Sequence, residues 1–138
     1  MKVLTIVVTH NRSELLVRCL DSIDSQSDPP QDVLVINNGS TDNTEEILRK
    51  KNTWFITQAN VGSAGGWNKG IKLGLEKGYD ACWLMDDDGY PDKDALKYLK
   101  RKFTDDTACI SSIVLKEDNK SEFVFPFPYL SSKNLPKI

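Results

Sequence analysis

The segment from residue 82 to 96 reads CWLMDDDGYPDKDAL, in which an apolar run leads directly into Asp86, Asp87 and Asp88. Adjacent carboxylates at the end of a buried run repel one another and lose solvation, so they need a positive charge nearby. Because side chains alternate along an extended chain, Asp86 and Asp88 are predicted to point the same way and Asp87 the other. Two converging carboxylates favour Mg²⁺ or Mn²⁺, which would complete its shell with substrate phosphates and water. A solvated acidic turn that caps the next helix is the alternative interpretation.

A glycine-rich loop, NVGSAGGWNKG at residues 60–70, is the second candidate for ligand chemistry. Gly62, Gly65, Gly66 and Gly70 would let the backbone approach a ligand closely, and the start of the following helix would offer free N–H groups to an anion. The alternative is a flexible turn in which Gly66 and Gly70 ease the packing of a helix on a sheet.

Two shorter polar segments, THNR at residues 9–12 and NNGSTD at residues 37–42, add hydrogen-bonding groups. Asn37, Asn38 and Ser40 are suited to contact a base or a ribose, and ordinary turn chemistry is the alternative. His10 is the only histidine, so a zinc pair of histidines is excluded. We interpret His10 as a loop residue held by its neighbours rather than as a base or a metal ligand.

The elements that must position these loops alternate between strands and helices. Apolar β-branched runs predict strands at residues 2–8, 32–37, 53–58 and 79–85, and helical spacing predicts helices after each of them. Two further strands are predicted at 107–115 and 121–127, joined by a turn at 116–120. This order implies a parallel sheet with helices on both faces, and all four polar loops would then lie at the carboxyl ends of its strands.

Capping signals support the predicted helices. Asn11 with Glu14 and Asp42 with Glu45 have the spacing of N-terminal capping pairs, and Gly78 is placed to end the third helix.

Bulk composition limits the function classes. A chain of 138 residues is sufficient for one domain, and its net charge of −2 with interspersed signs argues against a nucleic-acid partner. Cys19, Cys82 and Cys109 are few and far apart, which predicts reduced, buried thiols in a cytoplasmic protein. The apolar run at residues 3–8 is too short to span a bilayer, so any work at a membrane is expected to be peripheral, at its inner face.

Four motifs in order, VVTHNR, INNGSTDNTEEIL, NVGSAGGWNKG and WLMDDDGYPDKDAL, resemble the family 2 glycosyltransferases with the GT-A fold. The resemblance extends over residues 2–115, and the aspartate triplet with an AGG-type loop is most similar to the galactofuranosyltransferase and rhamnosyltransferase branch. It implies an α/β, Rossmann-like, mostly parallel sheet flanked by helices. Residues 1–115 would form the nucleotide-sugar (donor) binding subdomain, and residues 116–138 the incomplete start of an acceptor-side region.

The resemblance also implies an activity. A sugar would pass, with inversion, from a nucleotide-diphosphate sugar such as UDP-galactofuranose or dTDP-rhamnose to a saccharide or lipid-linked saccharide acceptor in polysaccharide biosynthesis. Asp88 and Asp86 would hold Mn²⁺ or Mg²⁺ as a DxD motif. The implied substrate-binding residues are Thr9, Asn11, Arg12, Asn37, Asn38, Gly62, Gly65, Gly66, Asn68, Gly70, Asp86 and Asp87.

Two departures from the family pattern matter. Asn37 stands where the family usually has an aspartate, so altered affinity or base choice is expected. The family's general base lies well beyond the metal motif, so we expect it beyond residue 138 and assign no catalytic residue. Glu117 and Asp118 are interpreted as solvated turn residues. The chain is therefore expected to be a fragment or a truncated donor-binding half that transfers sugar poorly or not at all.

Other interpretations stay open. The chain could be a nucleotide-sugar-binding fragment without catalysis, or a haloacid-dehalogenase-like phosphatase with Asp86 as nucleophile and Asp88 as general acid. A dinucleotide-binding domain is disfavoured because the glycines follow the third strand and do not spell G-x-G-x-x-G. The alternating aromatic residues of FVFPFPYL, residues 123–130, fit either core packing or a surface for formation of a homo-oligomer.

Overall fold

The computed structural model describes residues 1–124, in which four strands alternate with four helices. The strands are β1 (Val3–Thr9), β2 (Asp32–Asn37), β3 (Trp54–Thr57) and β4 (Ala81–Asp86). The helices are α1 (Ser13–Asp24), α2 (Thr44–Lys50), α3 (Gly62–Glu76) and α4 (Ala95–Lys102). The predicted order of these eight elements is confirmed.

The sheet is parallel and has the strand order β3-β2-β1-β4. In the register of the central strand β1, Thr9 lies opposite Asn37 of β2, and Val8 lies opposite Asp86 of β4. The three strands therefore end at the same level. Because they run in one direction, the loops that follow them leave from one edge of the sheet.

Helices cover both faces of the sheet, since alternate residues of β1 belong to different clusters. Val7 packs with Leu16 and Leu20 of α1 and with Leu48 of α2. On the opposite face, the cluster contains Leu4, Ile6, Val8, Leu34 and Ile36, against which Trp67 and Ile71 of α3 pack. This layered arrangement is the one predicted from the alternation of strands and helices.

A row of glycines on α3 brings that helix close to β1. A Cβ atom at Gly66 would lie 2.8 Å from a methyl group of Val8, and one at Gly70 would lie 2.6 Å from a methyl group of Ile6. One turn later, a Cβ atom at Gly74 would lie 2.9 Å from the Cys82 sulfur. The alternative interpretation of Gly66 and Gly70, packing of a helix on a sheet, is what the structure shows for both.

The predicted N-terminal capping pairs are wrong. Arg12, not Asn11, occupies the cap position of α1, and its side chain makes no capping hydrogen bond. Asn11 instead has a φ of 53°, a conformation that asparagine tolerates better than most residues. Asn43, not Asp42, occupies the cap position of α2, although Asp42 does accept from the Thr44 N–H at the start of that helix. Glu45 forms an ion pair with Arg49 instead of completing a capping pair. The predicted end of α3 is confirmed, since Gly78 follows it with a φ of 73°.

The last two predicted strands do not form within the described residues. An isolated antiparallel bridge joins Leu115 to Phe123, with Glu117 and Asp118 in the exposed turn between them. Ile113 and Val114 are 45% and 47% exposed, so this segment lacks the packed face that stabilises a strand. The rest of the second predicted strand, and most of FVFPFPYL, lie outside the described residues.

Contacts divide the chain into a unit at Met1–Arg101 and a second unit at Lys102–Ile138. The functional division at residue 115 stays a prediction. Among the described residues, no helix has both the length and the apolar character needed to cross a membrane. All three thiols are free, and the prediction that they are buried holds for Cys19 but is wrong for Cys109, which is exposed.

Candidate functional site

The four polar loops surround a cavity of about 420 Å³ at the carboxyl edge of the sheet, a volume within the range of ligand clefts. Its lining comes from the ends of β1, β2 and β4 and from the segment that leads into α3. The lining residues are Val8, Thr9, His10, Arg12, Asn38, Asn60, Ser63, Asp86 and Asp87.

Sequence reasoning found about half of this lining. The predicted residues that line the cavity are Thr9, Arg12, Asn38, Asp86 and Asp87. Those outside its lining are Asn11, Asn37, Gly62, Gly65, Gly66, Asn68, Gly70 and Asp88. The polar residues that were missed, His10, Asn60 and Ser63, all lie inside or beside the motifs quoted above, so their place in those loops was the available signal.

The three aspartates occupy different environments. β4 ends at Asp86, and the chain then turns, with the N–H of Gly89 donating to the Asp86 carbonyl at 3.1 Å. Asp87 is 3% exposed, whereas Asp86 and Asp88 are exposed. The burial of Asp87 between two exposed neighbours agrees with alternating side chains, but Asp86 and Asp87 line the cavity together and a turn carries the last two aspartates. The convergence of Asp86 and Asp88 on one point stays a prediction.

Arg12 supplies the positive charge that the triplet requires. Its Nη1 atom lies 3.3 Å from Asp87 Oδ1 and 3.3 Å from Asp88 Oδ2. The buried Asp87 carboxylate also accepts a 2.7 Å hydrogen bond from the Thr9 hydroxyl. The charge that makes these neighbours tolerable thus comes, in this structure, from an arginine 75 residues earlier in the chain than Asp87.

The electrostatic balance at the cavity is still negative. Partial burial raises the pKa of the Asp86 carboxyl above its ordinary value, and the charges of Asp88 and Asp87 raise it further against the opposing charge of Arg12. A single guanidinium therefore does not offset three carboxylates, and a cation beside Asp86 would be stabilised.

These residues fit a divalent ion that is shared with a ligand. Among residues 1–124, no group of three His, Cys, Asp or Glu side chains is placed to hold an ion alone. Mg²⁺ typically takes one or two carboxylates and completes its shell with phosphate and water, so Asp86 and Asp88 are a sufficient protein contribution.

The asparagine pair at the end of β2 is largely committed to internal bonds. Asn38 donates from Nδ2 to the Gly62 carbonyl at 3.0 Å and accepts at Oδ1 from Gln58 at 2.8 Å. The fully buried Asn37 accepts at Oδ1 from the Ser40 N–H at 3.0 Å. Both side chains therefore hold the loops around the cavity, and their contact with a base stays a prediction.

His10 and Asn11 join the first loop to the second. The His10 Nδ1 atom lies 2.8 Å from the Asn38 carbonyl, which places the imidazole in the cavity wall and fits its interpretation as a held loop residue. Asn11 accepts at Oδ1 from the Thr41 N–H at 2.6 Å. Asp42 accepts from the N–H groups of Ser13 and Thr44. Desolvation would raise the pKa of Asp42, but these hydrogen bonds hold it below its ordinary value.

The predicted glycine loop is helical from Gly62 onward, because α3 begins there, and the segment approaches the cavity through its first residues only. Gly62 has a φ of 75°, and its N–H donates to Asn60 Oδ1 at 3.0 Å. Gly65 faces the side chain of Val61, and Asn68 is exposed on α3. Contacts of these residues with a donor sugar stay a prediction, and Ser63 is the residue of this loop that reaches the cavity together with Asn60.

The segment after the triplet is anchored to α1. Gln26 is 6% exposed, donates from Nε2 to the Asp92 carbonyl at 2.8 Å and accepts at Oε1 from the Leu96 N–H at 3.0 Å. The guanidinium carbon of Arg18 lies 4.0 Å from the centre of the Tyr90 ring. These contacts hold the segment that follows the aspartates against the rest of the fold.

Comparison with known proteins gives a consistent result. The sequence model described as "Glycosyl transferase family 2" matches residues 5–134. Galactofuranosyltransferase GlfT1 of Mycolicibacterium smegmatis is 34% identical over 129 residues, which are 90% of this chain and 43% of that protein. The chain thus spans less than half the length of this curated relative.

Solved structures agree on the fold. Mannosyltransferase PcManGT from Pyrobaculum calidifontis, in complex with GDP-Man and Mn²⁺, has a TM-score of 0.68 and 23% identity, covering 86% of this chain and 37% of that one. S. aureus TarS 1-349 in complex with UDP-GlcNAc has a TM-score of 0.55 and 26% identity, covering 73% of this chain and 30% of that one. These likenesses confirm the predicted GT-A fold.

Proposed function

Because this chain belongs to glycosyl transferase family 2, we propose that it binds the nucleotide-diphosphate sugar donor of a glycosyl transfer reaction. The observation that carries the proposal is the acidic triplet at the end of β4, of which Asp86 and Asp87 line the cavity together with Ser63 of α3. A nucleoside diphosphate is an anion, so the negative aspartates require a cation between them and the phosphates. Arg12, which lines the cavity and contacts Asp87 and Asp88, provides one such charge.

We propose Mn²⁺ or Mg²⁺ as the second charge, held by Asp88 and Asp86. An ion there would act as a Lewis acid that stabilises the charge on the departing diphosphate. The exposure of these two carboxylates leaves their oxygens accessible to such an ion. The pKa of Asp86 is raised first by partial burial and then by the charges of Asp88 and Asp87, and those charges favour a cation there. The Thr9 hydroxyl and Arg12 would hold the neighbouring Asp87 in place.

For the donor, we propose a uridine nucleotide, with UDP-galactofuranose as the first candidate. The support is the 34% identity to a galactofuranosyltransferase and the 26% identity to TarS, whose structure contains UDP-GlcNAc. dTDP-rhamnose is the second candidate from the motif pattern. The base would lie between the first and second loops, where Thr9, His10 and Asn38 line the cavity.

For the complete reaction, we propose a single displacement with inversion. An acceptor hydroxyl of a saccharide would attack the anomeric carbon while the bond to the diphosphate oxygen breaks and its electron pair stays with the diphosphate. The acceptor proton would pass to a general base, which we assign to none of the residues 1–124. The described residues would bind the donor, orient its diphosphate and offset its charge.

A thermal-shift panel tests this proposal. The chain should be stabilised by UDP and UDP-sugars in the presence of Mn²⁺ and much less when EDTA replaces the metal, because ligand binding to the folded state raises its unfolding temperature. GDP and ADP serve as base controls. Equal shifts with every nucleotide would contradict the uridine assignment, and release of phosphate from an aryl phosphate would favour the phosphatase alternative instead.

A further inference from the structure

Arg12 is shared between two carboxylates of unequal accessibility. A single nitrogen, Nη1, lies 3.3 Å from both Asp87 and Asp88. Charge-assisted N–H···O bonds are usually about 2.7–2.9 Å long, so neither contact has its optimal length. The Arg12 side chain is itself 52% exposed, which leaves it room to move.

The two carboxylates that contact Arg12 differ in how firmly the structure holds them. The Asp87 side chain is 4% exposed and also accepts a hydrogen bond from Thr9, so its carboxylate cannot easily move away from Arg12. The Asp88 side chain is 56% exposed, and Arg12 is its one partner among residues 1–124. The ion pair between Arg12 and Asp88 is therefore the contact that a competing cation or solvent can replace.

Arg12 also occupies an unfavourable place for a cation. It is the cap residue of α1, where the helix dipole is positive. Its favourable interactions therefore come from the aspartates and from any anion in the cavity that it lines. A divalent ion bound to Asp88 would repel the guanidinium, and a diphosphate beside both cations would remove that repulsion.

We propose that Arg12 is ion-paired with Asp88 while the cavity is empty. This ion pair breaks when a nucleoside diphosphate and a divalent cation enter the cavity together. Arg12 is thus a positioning residue that makes metal binding depend on the nucleotide. The proposal rests on the proposed donor-binding function and goes beyond it, because it assigns an order to the two binding events.

The test is a set of calorimetric titrations on the 138-residue chain. MnCl₂ alone, UDP alone in EDTA, and UDP in saturating MnCl₂ are titrated into the wild type and into Arg12→Gln, which removes the charge but keeps an N–H donor for Asp87. Arg12→Met is the second uncharged variant, and Arg12→Lys keeps the charge. Arg49→Met, on α2, makes the same change in net charge at an exposed side chain paired with Glu45.

In the wild type, Mn²⁺ alone should bind weakly, and UDP should increase its affinity. Arg12→Gln should tighten the binding of Mn²⁺ alone by on the order of tenfold, which is the effect of one unit charge a few ångström from a divalent ion in a hydrated site. UDP alone should bind more weakly, and the factor by which UDP and Mn²⁺ enhance each other should fall. Arg49→Met should stay close to the wild type, and Arg12→Lys, which keeps the charge but not the guanidinium, should fall between the wild type and Arg12→Gln.

Two results would overturn the proposal while leaving the proposed function in place. One is unchanged or weaker Mn²⁺ binding in both uncharged variants. The other is tighter Mn²⁺ binding with an unchanged enhancement factor, because a guanidinium that stays fixed shifts each affinity without altering their coupling. A wild-type chain that binds UDP under none of these conditions would contradict the proposed function itself. Circular dichroism of each variant verifies that it is folded.

Discussion

Replacing Asp87 and Asp88 separately by alanine should distinguish the aspartate that stabilises the fold from the one that serves the ligand. Asp87 is 3% exposed and accepts a 2.7 Å bond from Thr9, which is itself 2% exposed. Within the described residues 1–124, Asp88 makes one exposed contact, with Arg12. The two residues are adjacent and chemically identical, so each variant is a control for the other.

The expected magnitudes follow from burial. Asp87→Ala leaves the Thr9 hydroxyl buried without its acceptor, which costs about 1–3 kcal/mol. Removing one partner of a fully buried ion pair costs about 3–5 kcal/mol, but Arg12 is half exposed and can be solvated, so the total should stay near 2–3 kcal/mol. For Asp88→Ala, a surface ion pair is worth only about 0–1 kcal/mol.

Chemical denaturation in EDTA, followed by calorimetry with UDP and Mn²⁺, measures both effects. Asp88→Ala should unfold almost like the wild type and lose its metal-dependent binding of UDP. Asp87→Asn, which keeps an acceptor for Thr9, should fall between the wild type and Asp87→Ala in stability. An Asp88→Ala variant that is as destabilised as Asp87→Ala, or that keeps the full effect of Mn²⁺ on UDP affinity, would refute these separate roles of the two aspartates.

Three further predictions concern the core and the thiols. Gly70→Ala should destabilise the fold by about 1 kcal/mol, because overpacking costs about 1–3 kcal/mol and the gain in helix propensity returns about 1 kcal/mol. Gly65→Ala is the control and should not destabilise the fold, since its added methyl group meets an exposed valine. Equal free energies of unfolding for the two variants would contradict the packing argument. Thr5→Val should stabilise the fold by on the order of 1 kcal/mol in urea denaturation, since the buried Thr5 hydroxyl has no hydrogen-bond partner among the described residues; a loss of stability would reveal a missed partner. Iodoacetamide at pH 8 should label the exposed Cys109 and spare Cys19, because burial raises the pKa of the Cys19 thiol to about 12 and the thiolate is the reactive form; mass spectrometry that finds equal labelling would contradict this.

The alternation of strands and helices was predictable because it depends on local periodicity, which the sequence shows directly. The edge at which the loops meet followed from the same pattern, since parallel strands end together. For the glycine loop, periodicity left two interpretations open, and only the positions of Val8 and Ile6 on the neighbouring strand show that Gly66 and Gly70 pack on the sheet.

Contacts between distant residues could not be predicted from spacing. Arg12 lies 76 residues from Asp88, and no local pattern indicates that its guanidinium reaches the triplet. The same holds for the hydrogen bonds of the Asn38 amide with Gln58 and Gly62, while its contact with a base stays a prediction. Asn11 was predicted to cap its own helix, and its side chain binds the second loop instead because that loop lies beside it at the sheet edge.

The most direct test of the account is a crystal of this chain grown with UDP and MnCl₂ and measured at the manganese absorption edge. We predict an anomalous peak beside the Asp86 and Asp88 carboxylates and the diphosphate. The Arg12 guanidinium should no longer contact Asp88. A bound nucleotide without a manganese peak at these carboxylates, or a cavity that contains neither ligand, would contradict the account.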